Sequence, residues 1–400
     1  CPTFNLLGDE LDGPRGRIYL IKEMIEKKKT PTKKVVSHID KCLSCYACMT
    51  TCPSGVNYMH LIDHGRNYVE KKYKRPFFEK LFRDFLSKTL PKPQIFKFLI
   101  LFAKLGQPFK FLLPKKLKSM LDVAPKKIYG KTLRFQKVYK AERKKPTARV
   151  ALLIGCVQRV VSPQINESTI RVLTRHGVEV ITMPEVECCG SLNHHLGKEN
   201  LAKETFKKNI NLWYDEYLKN GLDAIISNTS GCGTTLKDYG FVFREDKELK
   251  KKAKKISELT KDVTEFLDQN LKLSFKKEKG SKKYNIAYHS ACSMQHGQKV
   301  HKQPIDLLER TGNKILNIPD GHICCGSAGT YNILQSDIAE KLLKQKVENI
   351  NKVKPDFIST GNIGCIMQIT NGTNIPILHT VEVIDWCTGG PKPQSIKSIR

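Results

Sequence analysis

Fourteen cysteines stand in a chain of 400 residues, and most of them fall in tight groups. The densest group is Cys42-Leu-Ser-Cys45-Tyr-Ala-Cys48-Met-Thr-Thr-Cys52-Pro53, a C-x2-C-x2-C-x3-C-P run. Three thiolates spaced by two residues can wrap one corner of a cubane iron–sulfur cluster. The fourth, set back by three and followed by a proline that turns the chain, ligates a second cluster. A structural zinc site would need a second cysteine or histidine knuckle a dozen or more residues away, and none is spaced to match. Four packing cysteines would need no fixed spacing. The chain opens Cys1-Pro2-Thr3, which echoes Cys52-Pro53-Ser54. Cys1 therefore reads as the last cysteine of an earlier run whose first three members lie upstream, and the sequence as a fragment. In crossed ligation Cys42, Cys45 and Cys48 take Cys1 as their fourth ligand, while Cys52 serves a cluster whose other ligands precede residue 1.

Eight further cysteines form two matching sets. Cys156, Cys188, Cys189 and Cys232 recur as Cys292, Cys324, Cys325 and Cys365, at offsets of 136, 136, 136 and 133 residues. Landmarks this regular mark an internal duplication. Adjacent thiolates diverge too much to share one tetrahedral zinc, and a vicinal disulfide is strained. A larger cluster can use both, one sulfur per iron. The glycine after each pair, Gly190 and Gly326, is expected to let the backbone approach the cluster and a helix begin at once, with the helix N-terminus facing the cluster's negative charge. His194 and His195 follow the first pair and read either as ligands or proton relays, or as helix-start surface. Cys387 lies outside the pattern and reads as a structural thiol.

These groups need elements to hold them. Around the first run, helices are expected from Pro14 to about Lys28 and from Val56 to Tyr73, so the two C-P motifs are joined by helix. That resembles a helical two-cluster ferredoxin, as in succinate dehydrogenase iron–sulfur subunits. Arg15 and Arg17 beside Cys1 either offset cluster charge or are idle surface. From Ala148 the pattern alternates strand and helix. Buried-strand runs cover Arg149–Gly155, Val178–Thr182, Asp223–Ser227, Tyr284–Tyr288 and Asp356–Ser359, with helices near Lys198–Lys219 and Ser257–Gln269. Such alternation predicts parallel sheets, with cysteines at the strand C-terminal ends where open α/β sheets hold ligands. The expected fold class is multidomain α+β. Residues 1–75 form a ferredoxin-like domain with 4Fe–4S clusters, 76–146 a Phe- and Lys-rich helical connector with a linker over 123–146, and 147–270 and 280–390 two cysteine-rich domains.

The connector holds nine of the 17 phenylalanines, from Phe77 to Phe111. Its stripes read as a helical hairpin packed on the domains it joins, with a membrane-interface helix as the alternative. The formal charge of +30 suits an acidic partner subunit or an anionic membrane face as well as simple solvation. Lysine dominates over arginine and no nucleic-acid motif appears, so nucleic acid is not an expected partner. Grouped cysteines indicate a reducing compartment, and no window is long and apolar enough for a membrane span.

The sequence resembles the iron–sulfur subunits of glycolate oxidase, also called glycolate dehydrogenase. The likeness rests on the two C-P runs, the link Leu7-Gly-Asp-Glu-Leu-Asp-Gly-Pro-Arg-Gly-Arg17, the stretch Cys188-Cys189-Gly190-Ser-Leu-Asn-His-His195 and the two C…CCG…C repeats, over residues 1–75 and 148–387. CCG repeats also occur in heterodisulfide reductase B subunits, anaerobic glycerol-3-phosphate dehydrogenase C subunits and lactate-utilisation proteins. One departure is clear. Heterodisulfide reductase repeats end in C-x-x-C, and here Thr229 and Asn362 replace that fifth cysteine. The resemblance implies FAD-containing partner subunits that oxidise glycolate or a similar 2-hydroxy acid. Electrons would pass through this chain's clusters to a quinone or other acceptor, at the cytoplasmic face of the cell membrane. A reductase-like thiol chemistry, or a lactate or glycerol-3-phosphate dehydrogenase subunit, is the alternative. No GxGxxG, P-loop or acid–base pair is visible, so no catalytic residue is assigned and the chain is not expected to oxidise substrate by itself.

Overall fold

Short apolar strands bounded by glycine and cysteine build two sheets, each from one cysteine repeat. The computed structural model describes residues 1–112, 118, 120–121, 137–276 and 282–397. The first sheet contains β1 (Val138–Tyr139), β2 (Ala148–Leu153), β3 (Val178–Ile181), β4 (Ala224–Ser227) and β5 (Thr260–Asp262), in the order β1-β3-β2-β4-β5. Strands β2 to β5 are parallel, with Val150 opposite both Val180 and Ala224, and β1 lies antiparallel on the edge. The second sheet contains β6 (Asn285–Tyr288), β7 (Lys314–Leu316), β8 (Phe357–Thr360) and β9 (Ile377–His379), all parallel in the order β7-β6-β8-β9. The order β3-β2-β4-β5 recurs as β7-β6-β8-β9, so the cysteine duplication is a duplication of one parallel α/β unit. Central strands are buried on both faces, which is why they read as unbroken apolar runs rather than alternating ones.

The N-terminal unit is helical: α1 (Pro2–Leu7), α2 (Pro14–Glu26), α3 (Lys33–Asp40), the single turn α4 (Ala47–Thr50) and α5 (Tyr58–Lys72). Ile21, Met24, Ile39, Ile62 and Val69 meet in its core. Gly65 is required here, because a Cβ on it would lie 2.8 Å from Ile21 where α2 crosses α5. The connector forms α6 (Phe77–Thr89) and α7 (Pro93–Gly106). Leu86, Phe96 and Ile100 are buried, the latter two in the core of the first α/β unit. The hairpin is thus packed along one side. Its other side is open: Phe78 is 81% and Phe98 65% exposed, with Phe77, Leu81, Leu101, Phe102 and Leu105 also outward.

The first α/β unit adds α8 (Gln158–Val161), α9 (Gln164–Arg175), α10 (Ser191–His195), α11 (Glu199–Asn220), α12 (Ser230–Val242), α13 (Lys250–Leu259) and α14 (Val263–Asn270). The second adds a π-helical turn at Ser293–Gln298, α15 (Gln303–Arg310), α16 (Tyr331–Leu334), α17 (Ser336–Lys352), α18 (Ile363–Thr370) and α19 (Thr380–Cys387). Two sequence expectations change. The helix placed at Ser257–Gln269 is instead α13, β5 and α14, because Asp262 ends the strand as an N-cap and forms a reciprocal capping box with Glu265. The linker at 123–146 contains β1, which completes the first sheet; residues 122–136 lie outside the described residues. Each repeat also has short strands that the pattern did not single out, because three-residue edge strands carry too few apolar positions to register.

The two α/β units face each other through α12 and the π-helical turn. The Ser230 and Ser293 hydroxyls lie 2.7 Å apart, the Thr234 hydroxyl donates to Ser293 O, and the Gln298 amide donates to Ser230 O. Gly297 permits the approach, since a Cβ there would sit 2.8 Å from Thr234. Asp385 on α19 accepts from Arg171 and Arg175 on α9, closing the far side.

Candidate metal centres

Cys1, Cys42, Cys45 and Cys48 line one pocket with Arg17 and Tyr58. The loop wraps because Ser44 and Tyr46, alternating with the cysteines, take left-handed backbone angles (φ 48° and 58°). Such angles are uncommon outside glycine and here turn the sulfurs to one side. The Ser44 amide and the Tyr58 hydroxyl each reach Cys42 Sγ at 3.5 Å. Arg17 is not idle surface: it is 1% exposed, its guanidinium lies 3.8 Å from Cys1 Sγ, and it also donates to His38 O and Thr3. Arg15 is exposed. Asp12, buried and paired with Arg17, His38 and the half-buried Lys41, balances this charge. Cys52 is half-buried and is not among the residues lining this pocket.

Burial pushes the Cys45 thiol well up, aided by the nearby Cys292, and pushes Cys48 up to about 11. Buried thiols at this density ionise only when a cation takes their charge, which is the chemistry of a metal site. Four sulfurs, backbone N–H aimed at sulfur and a buried guanidinium together fit an anionic iron–sulfur cluster.

In the first repeat Cys156 sits against Cys188, Cys188 against Cys189, and Cys189 Sγ lies 3.0 Å from Cys232 Sγ. In the second, Cys292 Sγ lies 3.7 Å from Cys324 Sγ, and Cys325 touches both Cys324 and Cys365. Each foursome converges at the C-terminal ends of its strands. Cys156 and Cys292 are both raised by contact with the next cysteine and then by burial. The Asn209 amide and the Tyr239 hydroxyl hold Cys188 O and Cys189 O, fixing the first pair.

The CCG glycines each pack against a long helix. Gly190 and Gly326 are left-handed (φ 78° and 91°), and a Cβ would strike Phe206 on α11 at 2.5 Å or the Ala339 carbonyl on α17 at 2.6 Å. They let the cysteine pair turn tightly beneath a long helix. The helix after the first pair is only the five-residue α10, and no helix follows the second at once. The helix N-termini come from elsewhere: Cys232 and Cys365 are the third residues of α12 and α18.

His194 and His195 turn to Asp63 on α5 (3.4 and 2.9 Å) rather than to the cysteines. Burial opposes the Asp63 charge, but His195 and His194 hold its carboxyl well below the usual range. Cys387 packs with Trp386 and Tyr284 in the second core, raised to about 11 by burial.

Two residues escaped sequence reasoning. His289 closes β6 and has a ring nitrogen within 4.8 Å of Cys325 and Cys365 Sγ. Lys346 on α17 is 2% exposed, donates to Asp320 O and Gly321 O, and faces all four cysteines of the second set. Aligning the repeats exposes both signals, since Leu153 and Ile210 hold the matching positions in the first repeat. The first pocket and the second foursome also meet: Cys45, Leu43, Cys324 and Tyr331 share one apolar cluster with Cys292 at its margin.

A family model described as "Cysteine-rich domain" (CCG) matches residues 150–237 and again 286–370. The chain is 37% identical over 390 residues to the "Glycolate oxidase iron-sulfur subunit" of Escherichia coli (strain K12), spanning 96% of this chain and 90% of that protein. It is 28% identical to the "Probable glycolate oxidase iron-sulfur subunit" of Bacillus subtilis (strain 168), over 93% and 86% of the two chains. "Lactate utilization protein A" of Geobacillus thermodenitrificans (strain NG80-2) is 29% identical over 59% of this chain and 98% of its own.

Proposed function

Because this chain belongs to the family of glycolate oxidase iron–sulfur subunits, we propose that it is the electron relay of a 2-hydroxy acid dehydrogenase. A flavoprotein subunit takes a hydride from C2 of glycolate, or of a close relative such as lactate, and releases the two electrons singly to this chain. The chain passes them to a quinone or another acceptor. Bound iron–sulfur clusters supply one-electron carriers, which an alcohol carbon cannot reduce directly without a two-electron acceptor such as flavin.

The observation that carries this reading is the apolar cluster joining Cys45 to Cys324 and Cys292. A relay needs its carriers adjacent and shielded from water, and that cluster puts one set of sulfurs against the next. On this reading Cys1, Cys42, Cys45 and Cys48 hold a 4Fe–4S cluster in a ferredoxin-like unit, and Cys52 belongs to a second one. Cys156, Cys188, Cys189 and Cys232 hold a third centre, and Cys292, Cys324, Cys325 and Cys365 a fourth. Arg17 offsets the negative charge at the first. The open side of α6 and α7 rests on the inner membrane face, with Lys80, Lys88, Lys92 and Lys97 exposed among its aromatic side chains.

Replacing Cys45 by serine tests the relay. Expected are loss of one reduced-cluster EPR signal and loss of quinone reduction in the reconstituted complex, with flavin reduction by glycolate retained. An unchanged iron content and spectrum overturns the assignment. Glycolate turnover by the isolated, flavin-free chain overturns the relay role itself.

A further inference from the structure

We propose that His289 is a ligand of the second repeat's iron–sulfur centre, so that this centre has mixed sulfur and nitrogen donors while the first repeat binds through sulfur alone. The proposal rests on the reading that the repeats hold iron–sulfur clusters. His289 is 1% exposed, and neither ring nitrogen has a hydrogen-bond partner. A buried imidazole carries one donor and one acceptor, and leaving both unmet is costly because neither regains the hydrogen bond it had in water. Such a residue persists where something else takes its lone pair. The nearest candidates for company are Cys325 and Cys365 Sγ, each with its ligating atom within 4.8 Å of the ring nitrogen and of the other.

The rest of the site leaves this role open. Asn362, at the position of a possible fifth donor, uses its Oδ1 to accept from the Gly364 amide. Its counterpart Thr229 donates to Gln158. Lys346 is committed to two carbonyls and cannot ligate while charged. The fifth donor of the second repeat therefore comes from the end of β6, three residues before Cys292. In the first repeat that position is Leu153, 3% exposed and without a donor atom. Thiolates with imidazole form a donor set that iron–sulfur clusters accept, and a nitrogen ligand distinguishes such a centre from an all-cysteine one.

The test uses the full chain assembled with its flavoprotein partner under anaerobic conditions. Cys325→Ser identifies which reduced-state EPR signal belongs to the second repeat. Pulsed EPR on that signal should show a strongly coupled nitrogen whose coupling constant changes with isotopically labelled histidine. His289→Ala should abolish the coupling, and His289→Cys, which keeps a ligand, should retain the iron while losing the nitrogen. A second-repeat signal with no histidine nitrogen, or one whose coupling survives in His289→Cys, overturns the proposal while leaving the relay intact. An iron content unchanged by Cys325→Ser removes the cluster from this repeat, and overturns both.

Discussion

Lys346 shows how one side chain sets two matched sites apart. It replaces the Ile210 of the first repeat and places a buried cation beside Cys325, Cys324, Cys365 and Cys292. A reduced cluster carries one more negative charge than an oxidised one, so a neighbouring cation favours reduction. Lys346→Met should lower the second centre's potential by on the order of 50–100 mV, since about 59 mV corresponds to a tenfold change for one electron, and should leave the first centre's potential in place. A redox titration followed by EPR reads both. Gly326 sets a steric limit of similar sharpness. Gly326→Ala adds a left-handed strain and a clash with the Ala339 carbonyl, and should destabilise the second repeat by about 2 kcal/mol or more, read as a lower unfolding midpoint.

At the scale of elements, α10 is held on α5 by two imidazoles sharing one carboxylate. Burial lowers the His194 pKa, but the Asp63 carboxylate, with Asp238 and Glu199 behind it, lifts it above the ordinary 6.5. A histidine raised by a partner contributes stability that is fully present below its unfolded value and is lost as pH rises through the folded one. The α10–α5 dock should therefore be firmest below about pH 6.5 and loosen above it. Asp63, whose folded pKa is depressed, contributes above the ordinary carboxylate range near 4 and loses that contribution only in stronger acid. Urea midpoints measured across this range should fall with rising pH in the native chain and fall less in Asp63→Asn. Equal slopes would show that the pair does not couple the N-terminal unit to the first repeat.

For the whole molecule, the helical N-terminal unit touches both repeats but brings its cysteine pocket to only one. Tyr331 donates to Lys41 O and Thr50 pairs with His296, so the first pocket is clamped onto the second repeat. The α6–α7 hairpin leaves Phe77, Phe78, Phe98 and Phe102 exposed among lysines. Among the described residues no helix is long and apolar enough to cross a membrane. A lipid surface would be met from one side, by inserted aromatic rings together with a charge attraction that salt weakens. Phe98→Asp with Phe102→Asp should cut binding to vesicles rich in anionic lipid by about tenfold or more, and raised salt should weaken the native protein's binding. Binding to neutral vesicles at the same strength would remove the electrostatic part.

The sequence alone carried whatever depends on local spacing. The C-x2-C-x2-C-x3-C-P run, the 136-residue recurrence and the apolar strand runs each encode a local geometry, and a local geometry can be read without knowing its neighbours. The capping box at Asp262 and Glu265 is encoded in the same way, but the surrounding lysines and leucines suit a continuous helix and mask it. Tertiary structure decided what meets across distance. It buried Arg17 and left Arg15 exposed, turned His194 and His195 toward Asp63, and packed Gly190 and Gly326 against long helices. It also brought His289 to Cys325 and Cys365, and Cys45 to Cys324. Those pairs come from segments far apart in the chain and are fixed by how sheets and helices pack, where each side chain's partner depends on the position of every element beneath it.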